Sequence, residues 1–297
     1  NAGLAYEVLD ELIESQPKAL TGYIPDVVSF CVEVAQTSGL TTQTRRRALD
    51  VVAFLARHKP KALLRARLVQ PLLSVLCPLC GEPKETELAG EDLNVDAEEE
   101  EEMQVQTVAA QLVDLLALKV PAKHVLPEVL SFAGTAITSG DTRRRHAAVA
   151  VLGIVSEGCA EGLQRRVPEI VPLVVQGLTD ASKEVRGAAA FTLGQFAEYL
   201  QCAVEYPEMH QSVLPALFSV LPSEPDKSVQ ERMMYAMDSW LEQLDEEVGP
   251  YVKPLLDIVF MALDNPGARP QVREMLLGAA ASAAAAAGHT MHPHLNE

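Results

Sequence analysis

Cys77-Pro78-Leu79-Cys80 is the first spacing in this sequence that could do chemistry. A CxxC pair supplies two of the four ligands of a structural zinc, or a redox dithiol. Zinc would need a second Cys or His pair at a fitting distance, and a thioredoxin-like dithiol would need a βαβ setting; the sequence offers neither. His289, His292 and His294 crowd together but straddle a loop, so they read as incidental. Phosphate-binding glycine loops, nucleophile elbows and HExxH are missing. The five cysteines (Cys31, Cys77, Cys80, Cys159, Cys202) are scattered and odd in number, as reduced thiols are. These residues predict no catalytic group, no cofactor and no metal: not an enzyme.

Charge is the next resource. The net charge is −17, and it is uneven. From Glu82 to Glu102 there are eleven acids and one Lys, so that stretch carries −10 and the rest of the chain −7. Glu91, Asp92, Asp96 and Glu98, Glu99, Glu100, Glu101, Glu102 form its densest part. Two readings are open: a polyanion that guides Lys/Arg-rich partners, or a disordered solubilising insert with no specific partner. Steering of this kind fades beyond a Debye length of ~8 Å. Arg45-Arg46-Arg47 and Arg143-Arg144-Arg145 are the contrary clusters. In so acidic a chain they make a poor nucleic-acid patch, and pairing with acids of neighbouring repeats suits them better. Direct nucleic-acid binding is not expected.

The elements that position these groups repeat along the chain. Pro25, Pro71, Pro127, Pro172, Pro215 and Pro254 sit in similar text at intervals of 46, 56, 45, 43 and 39 residues, with Pro168 an equally good partner for Pro127. That period is the one of HEAT or armadillo units. Pro is tolerated in the first turn of a helix, so each is expected to open a second ("B") helix whose apolar run coats one face. Before each comes a first ("A") helix rich in small residues. Arg144-Arg145-His146-Ala147-Ala148-Val149-Ala150-Val151-Leu152-Gly153 aligns without a gap with Val185-Arg186-Gly187-Ala188-Ala189-Ala190-Phe191-Thr192-Leu193-Gly194. The spacing predicts A helices near 1–15, 43–57, 103–118, 142–157, 183–200, 227–244 and 270–287. B helices are predicted near 23–35, 62–77, 124–137, 166–178, 208–221 and 249–263. The expected fold is all-α: a right-handed α-solenoid of about six helix pairs plus a partial one. Residues 1–297 form one solenoid segment, and 82–102 form a disordered insert between repeats. With only 5% aromatic residues, the 48% apolar content is mostly Ala, Leu and Val, which suits packed helices. The longest weakly polar run, Met275 to Gly288, falls short of the ~18 apolar residues of a membrane span. Asn1 already lies in a helical pattern and neither end carries a polar cap, which reads as a piece of a longer array.

Early in the B helices stand Asp26, Glu128 and Glu169, with Asp257 farther along. Each could meet a basic partner, or simply complement a helix dipole. Asp180 is placed to cap A-helix amides and Arg186 to pair with a neighbouring acid.

Leu173-Val174…Gly177-Leu178-Thr179-Asp180…Val185-Arg186…Ala189…Leu193-Gly194 resembles the HEAT consensus, in which such Asp and Arg residues form ladders along the stack. Asp264 and Arg273 are the corresponding pair of the last unit, and Val229-Gln230 departs from the pattern. The chain also resembles the karyopherin-β nuclear import receptors. The text that carries this is Glu7-Val8-Leu9-Asp10-Glu11-Leu12-Ile13-Glu14-Ser15, Asp114-Leu115-Leu116-Ala117-Leu118, and Ala190-Phe191-Thr192-Leu193-Gly194-Gln195-Phe196-Ala197-Glu198, with the acidic insert between. The resemblance implies a monomeric receptor shuttling between cytoplasm and nucleus. It would carry basic cargo such as core histones or ribosomal proteins past Phe-Gly nucleoporins and release it to Ran-GTP. It also implies that B helices, with Asp26, Glu128, Glu169 and Asp257, line the concave cargo face, and that the arginine clusters could touch Ran. A HEAT-type regulatory scaffold of a multiprotein complex is the alternative.

Overall fold

The computed structural model describes residues 22–83, 104–244 and 246–264, with scattered helical positions between 273 and 284. The helix expected over 1–15 and the acids from Glu91 to Glu102 lie outside the described residues. The chain divides into two compact units, Asn1–Gly162 and Leu163–Glu297.

The first unit contains α1 (Ile24–Gln36), α2 (Thr42–His58), α3 (Pro60–Arg65), α4 (Val69–Leu79), α5 (Val105–Lys119), α6 (Leu126–Ala136) and α7 (Thr142–Ile154). Short α8 (Ala160–Gln164) follows. The second unit contains α9 (Val167–Gly177), α10 (Lys183–Leu200), α11 (Cys202–Glu205), α12 (His210–Val220), α13 (Lys227–Leu241) and α14 (Gly249–Asp264). Within the first unit the A helices α2, α5 and α7 pack in sequence, and behind them the B helices α1, α4 and α6 do the same. In the second unit α10 packs on α13, while α9, α12 and α14 form the other row. No strand occurs among the described residues.

The two helix types start by different devices. A helices α2, α7, α10 and α13 are capped by the side chains of Thr41, Asp141, Ser182 and Asp226. Each accepts a first-turn N–H that would otherwise lack a partner. Asp180 was expected in the capping role, but Ser182 takes it. The Asp180 carboxylate instead accepts the Ser182 N–H at 2.9 Å, a turn that sets up the cap. B helices α1, α3, α6 and α9 start without a side-chain cap and carry Pro in the first turn.

Three of the repeating prolines depart from expectation. Pro172, Pro215 and Pro254 lie inside α9, α12 and α14 and do not open them. A proline there frees the carbonyl one turn back, on Pro168, Gln211 and Pro250. All three of those residues are exposed, so water can satisfy the freed oxygens. The second B helix, read as unbroken over 62–77, is two helices. Arg67, with φ 56°, turns the chain between α3 and α4.

Small residues bring the A helices together. At Gly194 on α10 an added Cβ would lie 2.2 Å from the ring of Tyr235 on α13. The Tyr235 hydroxyl donates to Glu198 at 2.6 Å and accepts from Gln195 at 2.9 Å. Burial, together with the Glu198 carboxylate, pushes its pKa up to about 12. Gly194→Ala is therefore expected to cost about 1–3 kcal/mol, the usual range for overpacking. Gly134→Ala, on α6 where nothing stands within 4 Å, is expected to stabilise by up to about 1 kcal/mol through helix propensity. Urea unfolding of both variants checks the pair, and equal effects would contradict the packing account.

Candidate functional site

An arginine near the start of an A helix donates to carbonyls of the chain just before it, and on α2 and α10 it also pairs with an acid of the next repeat. On α2, the buried Arg45 donates from Nε to the Ala35 carbonyl at 2.7 Å and pairs with Glu82 at 2.7 Å. On α7, Arg145 donates to the carbonyls of Ser139 and Gly140 at 2.9 and 3.3 Å. On α10, Arg186 donates to the carbonyls of Asp180 and Ala181 at 3.0 and 3.2 Å. Its other two nitrogens grip both carboxylate oxygens of Glu224 at 2.6 and 2.8 Å. The hydrogen bond from Arg186 holds the Glu224 carboxyl below its ordinary pKa. Beside it, Lys183 reaches Asp226 at 3.4 Å. Burial pushes the Asp226 carboxyl up, but bonds from the Val229 N–H and the Lys183 charge outweigh that and lower it.

Gln230, which breaks the arginine pattern, keeps half of the rung. Its Nε2 donates to the Glu224 carbonyl at 2.6 Å, as Arg186 does to Asp180, while a neutral amide cannot form the ion pair. Asp264 ends α14 exposed to solvent and Arg273 is half-buried; the residues joining them, 265–272, lie outside the described residues. Glu82 and Glu224 are the rung acids that sequence reasoning missed. The available signal was position: Glu224 stands six residues before Gln230, as Asp180 stands six before Arg186.

Two of the B-helix acids are paired with a cation on their own helix or its start, and the other two meet only a neutral amide or a helix start. Glu169 pairs with Arg166 on its own helix start at 2.7 Å, and Asp257 with Lys253 at 3.7 Å. Glu128 accepts from Gln70 of the adjacent B helix at 3.1 Å. Asp26 is exposed in the first turn of α1, where its charge complements the helix dipole. Asp26 and Glu128 belong to the first unit, Glu169 and Asp257 to the second. Exposed ion pairs of this kind contribute only about 0–1 kcal/mol and leave little net field. Most of the negative charge is in the segment 82–102. Its first two residues, Glu82 and Pro83, are part of the fold, and Glu82 is already committed to Arg45. Pro83 and Gln104, on either side of the undescribed residues, line one cleft of about 250 Å³ with Arg45 and Arg143.

The CxxC residues are buried at the end of α4. Burial, with Glu128 adding to it, pushes the Cys77 thiol up to about 12, and burial raises Cys80 well above its usual value. A thiol so protonated is a poor nucleophile and a poor ligand. Among the described residues no group of three His, Cys, Asp or Glu could hold a metal ion.

Paired A and B helices stacked in rows, with arginine rungs between repeats, define a HEAT-repeat α-solenoid. A family model described as a HEAT-like repeat matches residues 142–196, from the start of α7 into α10. Importin-4 of Homo sapiens is 37% identical over 230 residues, covering 74% of this chain and 21% of that protein. Importin subunit beta-3 of Saccharomyces cerevisiae is 27% identical over 267 residues, 88% of this chain and 24% of that protein. The crystal structure of Kap121p matches with a TM-score of 0.81 at 25% identity, over 98% of this chain and 28% of that one. The chain belongs to the karyopherin-β family, and it spans about a fifth of the length of the Importin-4 relatives it matches.

Proposed function

We propose that this chain is part of a nuclear import receptor that binds Lys/Arg-rich protein cargo, core histones and ribosomal proteins being the fitting class. The observation that carries the reading is the 37% identity to Importin-4 over an ordered run of repeats. Kap121p, similar in fold, has been crystallised bound to Pho4p and to Nup53p, so a solenoid of this type takes protein partners. On this reading the receptor meets Phe-Gly nucleoporins, yields its cargo to Ran-GTP, and shuttles between cytoplasm and nucleus. It works by binding, not by catalysis.

Charge complementarity assigns the cargo contact mainly to Glu91, Asp92, Asp96 and Glu98 to Glu102, with Asp26, Glu128, Glu169 and Asp257 in support. The pairing of Glu82 with Arg45 dictates how to test this. A deletion from 82 would break a rung as well as remove charge, so neutralisation of the eight acids to Gln or Asn is the cleaner change. Binding of a Lys/Arg-rich histone-tail peptide is then expected to weaken about tenfold at low ionic strength and to lose most of its salt dependence. Unchanged affinity at low salt would sink the assignment. In the whole receptor, GTP-locked Ran is expected to displace the cargo, and indifference to Ran would leave a plain scaffold.

A further inference from the structure

The acidic total of the chain conceals a basic edge in the first unit. Between Asp50 and Glu82 there is not one acid, yet Arg57, Lys59, Lys61, Arg65 and Arg67 occur within the turn from α2 into α4. The next A-to-B turn, from Leu115 to Pro127, is likewise free of acids and carries Lys119, Lys123 and His124. The fold brings these two turns together. Arg67, Lys123 and His124 line one groove of about 370 Å³, and all three are exposed. Leu64, Val69 and Pro127 give the same groove an apolar component.

The helix starts also favour negative charge there. The groove is lined by first-turn residues of both α4 and α6, and neither helix has a side-chain cap. Helix starts carry a partial positive charge from unpaired N–H groups. Arg67 itself turns the chain between α3 and α4, with φ 56°. Glu128 is the one acid in the lining, and its carboxylate is engaged by Gln70.

We propose that this groove binds an acidic polypeptide segment in which apolar side chains are interleaved with Asp or Glu. The cations and helix starts take the carboxylates, and Leu64, Val69 and Pro127 take the apolar side chains. Nucleic acid fits less well. Apart from His124 the lining has no ring for a base to stack on, and Leu64, Val69 and Pro127 would have nothing to meet on a phosphate backbone. The inference is independent of the main cargo reading, which concerns basic partners and the acids from Glu91 to Glu102; the two share only Glu128.

The test is fluorescence anisotropy of a synthetic peptide of alternating Glu and Leu against the chain as it stands. Arg67→Gln combined with Lys123→Gln is expected to weaken binding about tenfold or more, each lost charge-assisted contact contributing. Arg143→Gln with Arg144→Gln, the same charge change at the start of α7, is expected to alter it less than about twofold. Glu128→Gln removes the one like charge in the lining and is expected to tighten binding of this peptide severalfold. Equal losses in the two double variants would reduce the effect to diffuse attraction and overturn the site. Absence of binding by the unaltered chain would overturn it too. A thymidine oligonucleotide that binds as tightly, with the same dependence on Arg67 and Lys123, would replace the acidic peptide by a phosphate ligand. None of these failures touches the histone-tail experiment.

Discussion

Arg186→Ala is expected to destabilise the second unit by about 3–5 kcal/mol, the range for breaking one side of a buried ion pair. The side chains of Arg186 and Glu224 are only 16% and 3% exposed, so water cannot replace the lost partner of the carboxylate. What remains to Glu224 is the N–H of Asp226 at 3.0 Å. The carbonyls of Asp180 and Ala181 lose a donor at the same time. Arg186→Lys is expected to fall between, because an ammonium cannot make the bidentate contact and reach both carbonyls. Replacing both partners by apolar residues of similar volume should recover much of the loss, since no orphaned charge is then buried. The pH dependence follows from the sign of the Glu224 shift. Its folded pKa lies below the ordinary 4.5, so its contribution is complete above about pH 4.5 and disappears as pH falls through the folded value. The deficit of Arg186→Ala should therefore narrow in acid. Urea unfolding at neutral and acid pH measures this, and a deficit under about 1 kcal/mol at neutral pH would make the rung an ordinary surface pair.

Much of this architecture was legible in the sequence because it is local and periodic. The helix read over 183–200 is α10 to the residue, and that read over 166–178 is α9 to within one residue at each end. Caps, small residues and apolar spacing all act within a few residues of each other there. The break at Arg67 was not legible. It carries neither Gly nor Pro, and only the surrounding packing holds an arginine in a left-handed turn. The interior prolines misled for a related reason. Their cost is decided by whether a carbonyl one turn back meets water, which is a property of the stack. Glu82 and Glu224 became visible as partners only once neighbouring repeats were in register. The basic edge was legible in principle, since residues 51–81 hold no acid. A net charge of −17 averages it away, and only the adjacency of two turns makes it a surface.

Trp240 carries the second large expected effect. It is fully buried on α13, and its Nε1–H donates to the Leu193 carbonyl of α10 at 2.9 Å. Leu193 lies inside α10, so the indole supplies an extra donor to a helix-interior oxygen just where Gly194 lets Tyr235 approach. Gln243, beyond the end of α13, donates to the Ala197 carbonyl one turn farther along. Trp240→Ala removes the largest fully buried side chain among the described residues and leaves a cavity between two rigid helices. The expected cost is about 3–5 kcal/mol. Trp240→Phe should cost less, keeping much of the volume while losing the donor, about 1–3 kcal/mol. Trp240 is the single tryptophan of the chain, so its emission reports on the α10–α13 contact in every other variant. For Trp240→Ala itself, circular dichroism must follow the unfolding. Because Arg186 and Trp240 both join α10 to the repeat that α13 opens, their losses are expected to be less than additive once either has loosened that contact. Strict additivity in the double variant would show that the rung and the indole hold the two repeats separately.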